Sequence, residues 1–231
     1  MTTRFHNYYQ RWLQTLYSKT LKKIPLCLEK IGSDYGGWFV PVDLVKSNWI
    51  CYLGGVGEDI TFDLGLVERF NCQAFAFDPT PRAIAHVGKI GPVKNFHFLE
   101  LGLWSCAKEL YFYVPKDPTH VSHSVTNLQG TDDYFVAKCD SIDHIMSGLG
   151  HKNLDLLKLD IEGAEHEVIS SLLQKNIFPQ VVCIEFDQPD TIFRMLKTHL
   201  KLTLKGYKLF YVDGWNLTFV HKQAILKSEK K

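Results

Sequence analysis

The 231-residue sequence lacks several features that would each define a class of protein. No stretch reaches the about 18 consecutive apolar residues that a membrane-spanning helix requires, so we expect no membrane span. The six cysteines include no C-x-x-C pair and no Cys/His spacing typical of zinc sites, so we interpret them as buried or free thiols. There is no repeat or low-complexity tract, and the average composition excludes a disordered or fibrous chain.

The charge is unevenly distributed along the chain. Residues 31–221 carry 16 Lys or Arg against 23 Asp or Glu, a net charge of −7, whereas both ends are basic. An acidic centre argues against a nucleic-acid groove through the domain, so we expect no nucleic-acid partner. It suits a site that binds a cationic ligand.

The N-terminal region is basic and amphipathic. Apolar residues recur at helical spacing over residues 5–21, which predicts a helix that packs on the core, covers a substrate or contacts a partner. This region lacks the apolar block of a signal peptide, which predicts a cytoplasmic protein. We therefore divide the chain into a helical extension, residues 1–30, and a single domain, residues 31–231.

Short apolar runs alternate with helical patterns through the rest of the chain. Runs without polar alternation are typical of parallel strands buried on both faces. They lie at residues 49–53, 74–77, 96–101, 110–114, 134–139, 155–159 and 181–186. The alternation predicts an α/β fold with a doubly wound, Rossmann-like sheet. Near the C-terminus, two strand patterns flank Asp213-Gly214, which predicts an antiparallel hairpin turned by this dipeptide.

A glycine turn and an acid follow the first two runs. The turn Gly55-Val56-Gly57 precedes a helical pattern, and Asp78 closes the second run. In doubly wound sheets, such a turn allows a nucleotide to approach the backbone, and an acid at this spacing can accept hydrogen bonds from ribose hydroxyls. The sequence therefore predicts a nucleotide-type cofactor.

The residues after the turn distinguish between two cofactors. Ile60 replaces the third glycine of the dinucleotide fingerprint, and we expect Glu58 and Asp59 in the first turn of the helix, where they would repel a pyrophosphate. S-adenosylmethionine has a positive sulfonium and no phosphate. The charge therefore favours S-adenosylmethionine over NAD, and it disfavours a nicotinamide-dependent oxidoreductase.

Two motifs resemble the FkbM-type family of S-adenosylmethionine-dependent methyltransferases. They are CYLGGVGEDITFD at residues 51–63 and KLDIEGAE at residues 158–165, supported by IGSDYGGW at 31–38 and FDPTP at 77–81. The resemblance implies a Rossmann-like methyltransferase sheet and S-adenosylmethionine as cofactor. It also implies O-methylation of a hydroxyl on a sugar, glycan or natural-product acceptor.

The resemblance also implies the residues that bind the cofactor. The glycine loop would line its methionine and ribose portion, Asp78 would hold the ribose, and the segment after the third strand would lie near the adenine. The residues concerned are Gly54, Gly55, Gly57, Glu58, Asp78, Gly102 and Leu103, with Asp160 beside the reacting methyl group. Trp104 is either an adenine neighbour or part of the core.

Several side chains are candidates for catalysis. Asp160 and Glu162 share one face at the end of the fourth strand, which adjoins the first in the order 3-2-1-4-5. An aliphatic hydroxyl needs a base or a divalent ion to become a good nucleophile. Our candidates are Asp160, Glu162 and His123, with Glu165 as a base or a helix cap. Glu185 and Asp187 could join the first two acids around Mg²⁺, a divalent metal that we leave open without favouring it.

One alternative comes from another class of function. A chain that binds the cofactor without catalysing transfer could serve as an interaction subunit through its N-terminal helix. Because Asp160 and Glu162 are both present, we favour the enzyme, acting on a small-molecule or glycan acceptor.

Overall fold

The computed structural model describes residues 26–114, 125, 130–186 and 192–228. The predictions made for residues 5–21, His123 and Asp187 lie outside the described residues. The proposed boundary at residue 30 falls within a strand, Leu28–Ile31, that pairs antiparallel with Trp38–Pro41. Residues 28–30 are therefore extended and not helical, because their backbone groups pair with a neighbouring strand.

Twelve strands and six α-helices are described. The strands are β1 (Leu28–Ile31), β2 (Trp38–Pro41), β3 (Ile50–Gly54), β4 (Gln73–Phe77), β5 (Phe96–Leu99), β6 (Gly102–Trp104), β7 (Lys108–Tyr113), β8 (Tyr134–Ser141), β9 (Leu156–Leu159), β10 (Val181–Glu185), β11 (Tyr207–Asp213) and β12 (Asn216–His221). The helices are α1 (Thr61–Phe70), α2 (Pro81–Ile90), α3 (Ile142–Leu149), α4 (Glu165–Gln174), α5 (Ile192–Leu204) and α6 (Lys222–Ser228).

A seven-stranded sheet forms the centre of the molecule. Its order is β11-β12-β10-β9-β3-β4-β5, in which β12 is antiparallel to both neighbours and the other pairings are parallel. Helices α1, α2 and α6 contribute to the core on one face, and α3, α4 and α5 to the core on the other. The predicted doubly wound α/β fold, the strand order and the terminal antiparallel hairpin are confirmed.

The strands predicted at 110–114 and 134–139 do not join the central sheet. They belong to β7 and β8, which form an antiparallel pair, with β6 on the other side of β8. Exposed residues alternate with partly buried ones along β8, as in a sheet with one face in water. This alternation separates them from the buried parallel strands, and the prediction of a shared sheet was wrong.

The predicted hairpin turn is displaced by one residue. Asp213 pairs with Asn216, so the two turn residues are Gly214 and Trp215 and not Asp213-Gly214. Gly214 has a φ of 59°, the positive value that hairpin turns need at their first central position. The longest described helix has 13 residues, and none of the described helices combines the length and apolar character that a bilayer crossing requires.

Candidate functional site

A cleft of about 460 Å³ lies where β3, β4, β9 and β10 end. Its wall brings together most of the predicted site residues: Gly55, Gly57, Glu58, Asp78, Gly102, Leu103, Asp160 and Glu162. Gly54 lies behind this wall, where a Cβ atom would meet Leu103 Cδ1 at 2.8 Å. Trp104 is not among the residues that line the cleft, and the Lys108 ammonium lies 5.2 Å from its ring centre.

The glycine loop after β3 passes very close to the end of β9. Gly55 has a φ of 80°, and a Cβ atom there would lie 1.7 Å from the carbonyl oxygen of Asp160. Gly57 also has a positive φ, 56°, but nothing lies within 4 Å of its Cβ position. Gly55 is therefore required by packing between two strand ends, whereas Gly57 is required by its backbone angle and leaves open space.

Asp78 holds the glycine loop by its side chain. Its Oδ2 accepts hydrogen bonds from the backbone N–H groups of Val56 and Gly57, at 2.9 and 3.0 Å. Its Oδ1 accepts from the N–H and the hydroxyl of Thr80, at 2.8 and 2.6 Å. A carboxylate has about four acceptor positions, so these four bonds use its capacity. Asp78 thus lies on the cleft wall and supports the loop.

Glu58 and Asp59 lie before helix α1 and not in its first turn, where the sequence predicted them. Helix α1 begins at Thr61, so Glu58 and Asp59 precede its first turn, where Asp63 is the only acid. The Arg82 guanidinium donates to Glu58 at 2.6 Å, and Asp59 accepts from the Ser33 and Thr61 side chains at 2.5 and 2.6 Å. Both acids line the cleft, but their charges are partly satisfied by these partners. Repulsion of a pyrophosphate by Glu58 is therefore weaker than the sequence indicated.

A buried lysine lines the cleft. Lys158, on β9, donates to the carbonyl oxygen of Gly55 at 2.5 Å and lies 3.1 Å from Asp160 Oδ2. The neighbouring carboxylates, first that of Asp160 and then that of Asp63, outweigh burial and raise the pKa of the Lys158 ammonium. Lys158 was not predicted from the sequence as a site residue. Its signal is a lysine inside the otherwise apolar run of β9.

Two further acids near this lysine have raised pKa values. Burial, then the charge of Asp160, raises the pKa of Glu185 to about 9, and Glu185 hydrogen-bonds to Asp160. Burial raises the pKa of Asp63 to about 7, and its Oδ1 has no hydrogen-bond partner within the described part of the chain. At neutral pH, therefore, Glu185 is protonated beside the Lys158–Asp160 ion pair.

The turn after β9 presents the second predicted catalytic acid. Glu162 has a φ of 54°, a left-handed conformation that is unfavourable for a residue with a side chain, and Gly163 follows with a φ of 98°. Glu165 accepts from the N–H groups of Ile161 and Gly163 at 2.8 and 3.0 Å. Glu165 is buried, and burial raises its pKa to about 8. It supports the turn through these two hydrogen bonds, whereas Glu162 lines the cleft.

The C-terminal hairpin closes the cleft beside Glu185. Trp215 and Asn216 line it, and Asn216 pairs with Glu185 between β12 and β10. The buried Oδ1 of Asn216 has no hydrogen-bond partner among the residues that the structure describes. From the sequence, this hairpin was predicted only as part of the fold, because no motif marks the point where its turn reaches the site.

The described acids do not form a metal centre. Within residues 26–114, 130–186 and 192–228, no three His, Cys, Asp or Glu side chains are arranged to hold a metal ion. Lys158 occupies the centre of the acid cluster, where its ammonium supplies positive charge to Asp160.

The family of the chain follows from a match over most of its length. Residues 69–209 match the methyltransferase FkbM domain. The match includes the KLDIEGAE motif and leaves the glycine loop outside. The chain belongs to the FkbM methyltransferase family. Membership of this family supports S-adenosylmethionine as the methyl donor.

Comparison with solved structures gives distant likenesses. The Methanococcus jannaschii fibrillarin pre-rRNA processing protein is 11% identical, with a TM-score of 0.45 over 77% of this chain and 68% of that chain. Precorrin-6y C5,15-methyltransferase from Geobacter metallireducens is 12% identical, with a TM-score of 0.43 over 78% and 83%. A SAM-dependent methyltransferase from Aquifex aeolicus is 12% identical, with a TM-score of 0.36 over 76% and 82%. No curated protein matched.

Proposed function

We propose that this methyltransferase transfers the methyl group of S-adenosylmethionine to a hydroxyl of a neutral acceptor, such as a sugar, a glycan or a natural product. The observation that best supports S-adenosylmethionine as the donor is the negative charge of the cleft. Among the described residues, seven acids line it against one base, Lys158, and the acids still outnumber the base when Glu185 is protonated and Glu58 is paired with Arg82. A low-dielectric cleft of this sign favours a cationic ligand and disfavours a pyrophosphate.

The residues present fit the donor. Gly57 leaves open space beside the loop, and the backbone of Gly55 is held against β9, so the loop can lie flat against a ligand. We assign the methionine and ribose portion to Gly55, Gly57 and Glu58, and the adenine to the side of the cleft lined by Gly102 and Leu103. We assign the ribose to Asp78, where a ribose hydroxyl would replace one of the hydrogen bonds that Asp78 accepts within the protein. When bound, S-adenosylmethionine supplies a methyl carbon that a hydroxyl oxygen can attack while the C–S bond electrons return to sulfur.

Asp160 is our candidate for the general base. Its carboxylate is about one-third exposed, so an acceptor in the cleft can reach it, and the Lys158 ammonium lies 3.1 Å from its Oδ2. In this role Asp160 orients the acceptor hydroxyl and accepts its proton as the oxygen attacks. Lys158 acts as a positioning residue, since it ties Asp160 to the carbonyl oxygen of Gly55. Glu162 and His123 remain alternative bases.

The side of the cleft near the hairpin is our candidate for acceptor binding. Protonated Glu185 donates its one hydrogen to Asp160, which leaves its other oxygen as an acceptor, and Asn216 Oδ1 is an acceptor without a partner in the described chain. Together with the Trp215 ring they offer hydrogen-bond acceptors and an apolar surface without a net charge. A neutral, hydroxyl-bearing compound matches this set, because its hydroxyl groups can donate to these acceptors.

Two measurements test the proposal. Calorimetric titration should show binding of S-adenosylmethionine and of its demethylated product, and no measurable binding of NAD. Tight NAD binding would exclude the donor assignment. A screen of hydroxylated acceptors with labelled donor, scored by product mass, should then give O-methylated product. Donor binding without transfer to any acceptor would instead support the non-catalytic interaction subunit.

A chelator experiment addresses the metal. If Lys158 supplies the positive charge beside Asp160, a chelator should leave the transfer rate unchanged. Loss of transfer with chelator, restored by added Mg²⁺, would contradict this arrangement and would make the acids metal ligands.

A further inference from the structure

Helix α5 has two apolar faces. One faces the core, where Met195, Thr198 and Leu202 are buried. The other is a line of exposed side chains that we call the outer stripe: Phe193, Leu196, Leu200 and Leu204, which are 83%, 38%, 58% and 77% exposed. At 100° per residue these four positions centre on the side of the helix opposite the buried face.

The outer stripe is flanked by positive charge. Arg194, Lys197, Lys201 and Lys205 follow the same helical spacing along one side of it. No Asp or Glu occurs anywhere between residues 191 and 212, although the domain as a whole is acidic. Lys197 is exposed, Lys201 donates to Ser170 Oγ at 2.6 Å, and the Lys205 ammonium lies 5.8 Å from the exposed Phe178 ring.

An exposed apolar line on an ordinary surface helix is unfavourable, since water contacts side chains that folding did not bury. The partner that matches it must offer an apolar layer beside a layer of negative charge. A bilayer that contains anionic lipids has this arrangement, with acyl chains below negatively charged headgroups. Helices that lie in the plane of such a surface combine an apolar face with flanking Lys and Arg.

We propose that α5 is a membrane-surface docking helix that binds anionic lipid, with the outer stripe inserted at the acyl boundary and the basic side chains at the headgroups. Binding of this kind needs no membrane-spanning helix, so it agrees with the absence of such a helix from the described chain. It goes beyond methyl transfer and does not depend on it. The long side chain of the exposed Lys197 can extend from the helix side to the headgroups while its methylene groups cover apolar surface.

Co-sedimentation of the full chain with lipid vesicles tests this proposal. The chain should bind vesicles of mixed phosphatidylserine and phosphatidylcholine, bind phosphatidylcholine alone much more weakly, and lose affinity as salt increases. The double variant Phe193→Ser/Leu204→Ser should lower the affinity about tenfold or more. The matched control is Leu226→Ser, an exposed position, 55%, on α6 at the opposite face of the sheet, and it should bind like the unaltered chain.

The charge is tested separately. Lys197→Gln should weaken vesicle binding about fivefold, the effect of one basic residue near an anionic surface, whereas Lys227→Gln on α6 should not. S-adenosylmethionine affinity should be the same in all variants, which separates this inference from the proposed function. Failure of the unaltered chain to bind either vesicle would overturn it. So would a dimer in sedimentation that the double variant abolishes without vesicle binding, because the stripe would then face a second copy.

Discussion

The two sides of the cleft differ in how their polar groups are satisfied. On the side of the glycine loop, Asp78 uses its acceptor positions within the protein, and Arg82 pairs with Glu58. On the side of the hairpin, Asn216 keeps a buried oxygen without a partner in the described chain, and Glu185 is held protonated. Asp63, on the helix that follows the glycine loop, also keeps a buried oxygen without a partner there and is the exception on the loop side.

This difference indicates a division of labour. A wall whose hydrogen bonds are complete is rigid, and it presents a fixed backbone shape to a ligand. A buried polar atom without a partner costs on the order of 1–3 kcal/mol, so its retention favours a role in binding or chemistry. We therefore expect substitutions on the loop side to change donor affinity and stability, and substitutions on the Asp160 side to change rate.

The largest effect should come from Asp160→Asn. The amide keeps the shape of the side chain but cannot accept the hydroxyl proton, and loss of a general base lowers the rate about 10²- to 10⁴-fold. Donor affinity measured by calorimetry should change by no more than about twofold, because we assign Asp160 to the acceptor hydroxyl and not to a contact with the donor. A lost contact worth about 1.4 kcal/mol would lower the affinity tenfold. Asp140→Asn, whose carboxylate bonds locally to Ser141 and His144 outside the cleft, is the control. An Asp160→Asn enzyme with full rate would remove Asp160 from the chemistry.

A matched pair of glycines should show the next largest effect. Gly55→Ala places a Cβ atom against the Asp160 carbonyl and adds strain at positive φ, so unfolding free energy should fall by about 2–4 kcal/mol. Gly57→Ala meets no atom and should cost only about 1 kcal/mol, from its backbone angle. Denaturant unfolding of both variants measures this. Equal losses would mean that the close approach of loop and strand is not what requires Gly55.

Asp78→Ala should have an intermediate effect on two quantities. It removes charge-assisted hydrogen bonds to the loop, so donor affinity should fall by about 1–3 kcal/mol and the unfolding free energy of the donor-free protein by a similar amount. Thermal unfolding without donor, beside calorimetry with donor, separates the two. If donor affinity falls and the unfolding free energy does not, Asp78 only contacts the ribose. If the unfolding free energy falls and donor affinity does not, Asp78 only supports the loop.

The sequence predicted the parts of the fold that short segments determine. The apolar runs of β9 and β10 and the acid that follows β9 are local patterns, so both the buried strands and the position of Asp160 followed from them. Asn216 could not be predicted as a site residue, because the return of the chain as β12 beside β10 places it in the cleft. The pairing of β7 with β8 was missed because their apolar content concealed the alternation of exposed and buried residues along β8.

The smallest effect should come from Glu185→Gln, and its pH dependence is the sharpest test of the comparison. Burial and the Asp160 charge raise the pKa of Glu185 to about 9, so glutamine imitates the form present at neutral pH, and the rate should change by less than about threefold.

Because the folded pKa lies above the ordinary value for glutamate, the neutral form is favoured by folding, and that stabilisation is lost as pH rises towards 9. Above that pH, the unaltered enzyme gains a second negative charge beside Asp160 and should lose activity, whereas Glu185→Gln should not. A pH–rate profile of the two enzymes decides this. An alkaline loss that persists in Glu185→Gln would assign it to another group, and a hundredfold loss at neutral pH would mean that Glu185 acts as an ionised base.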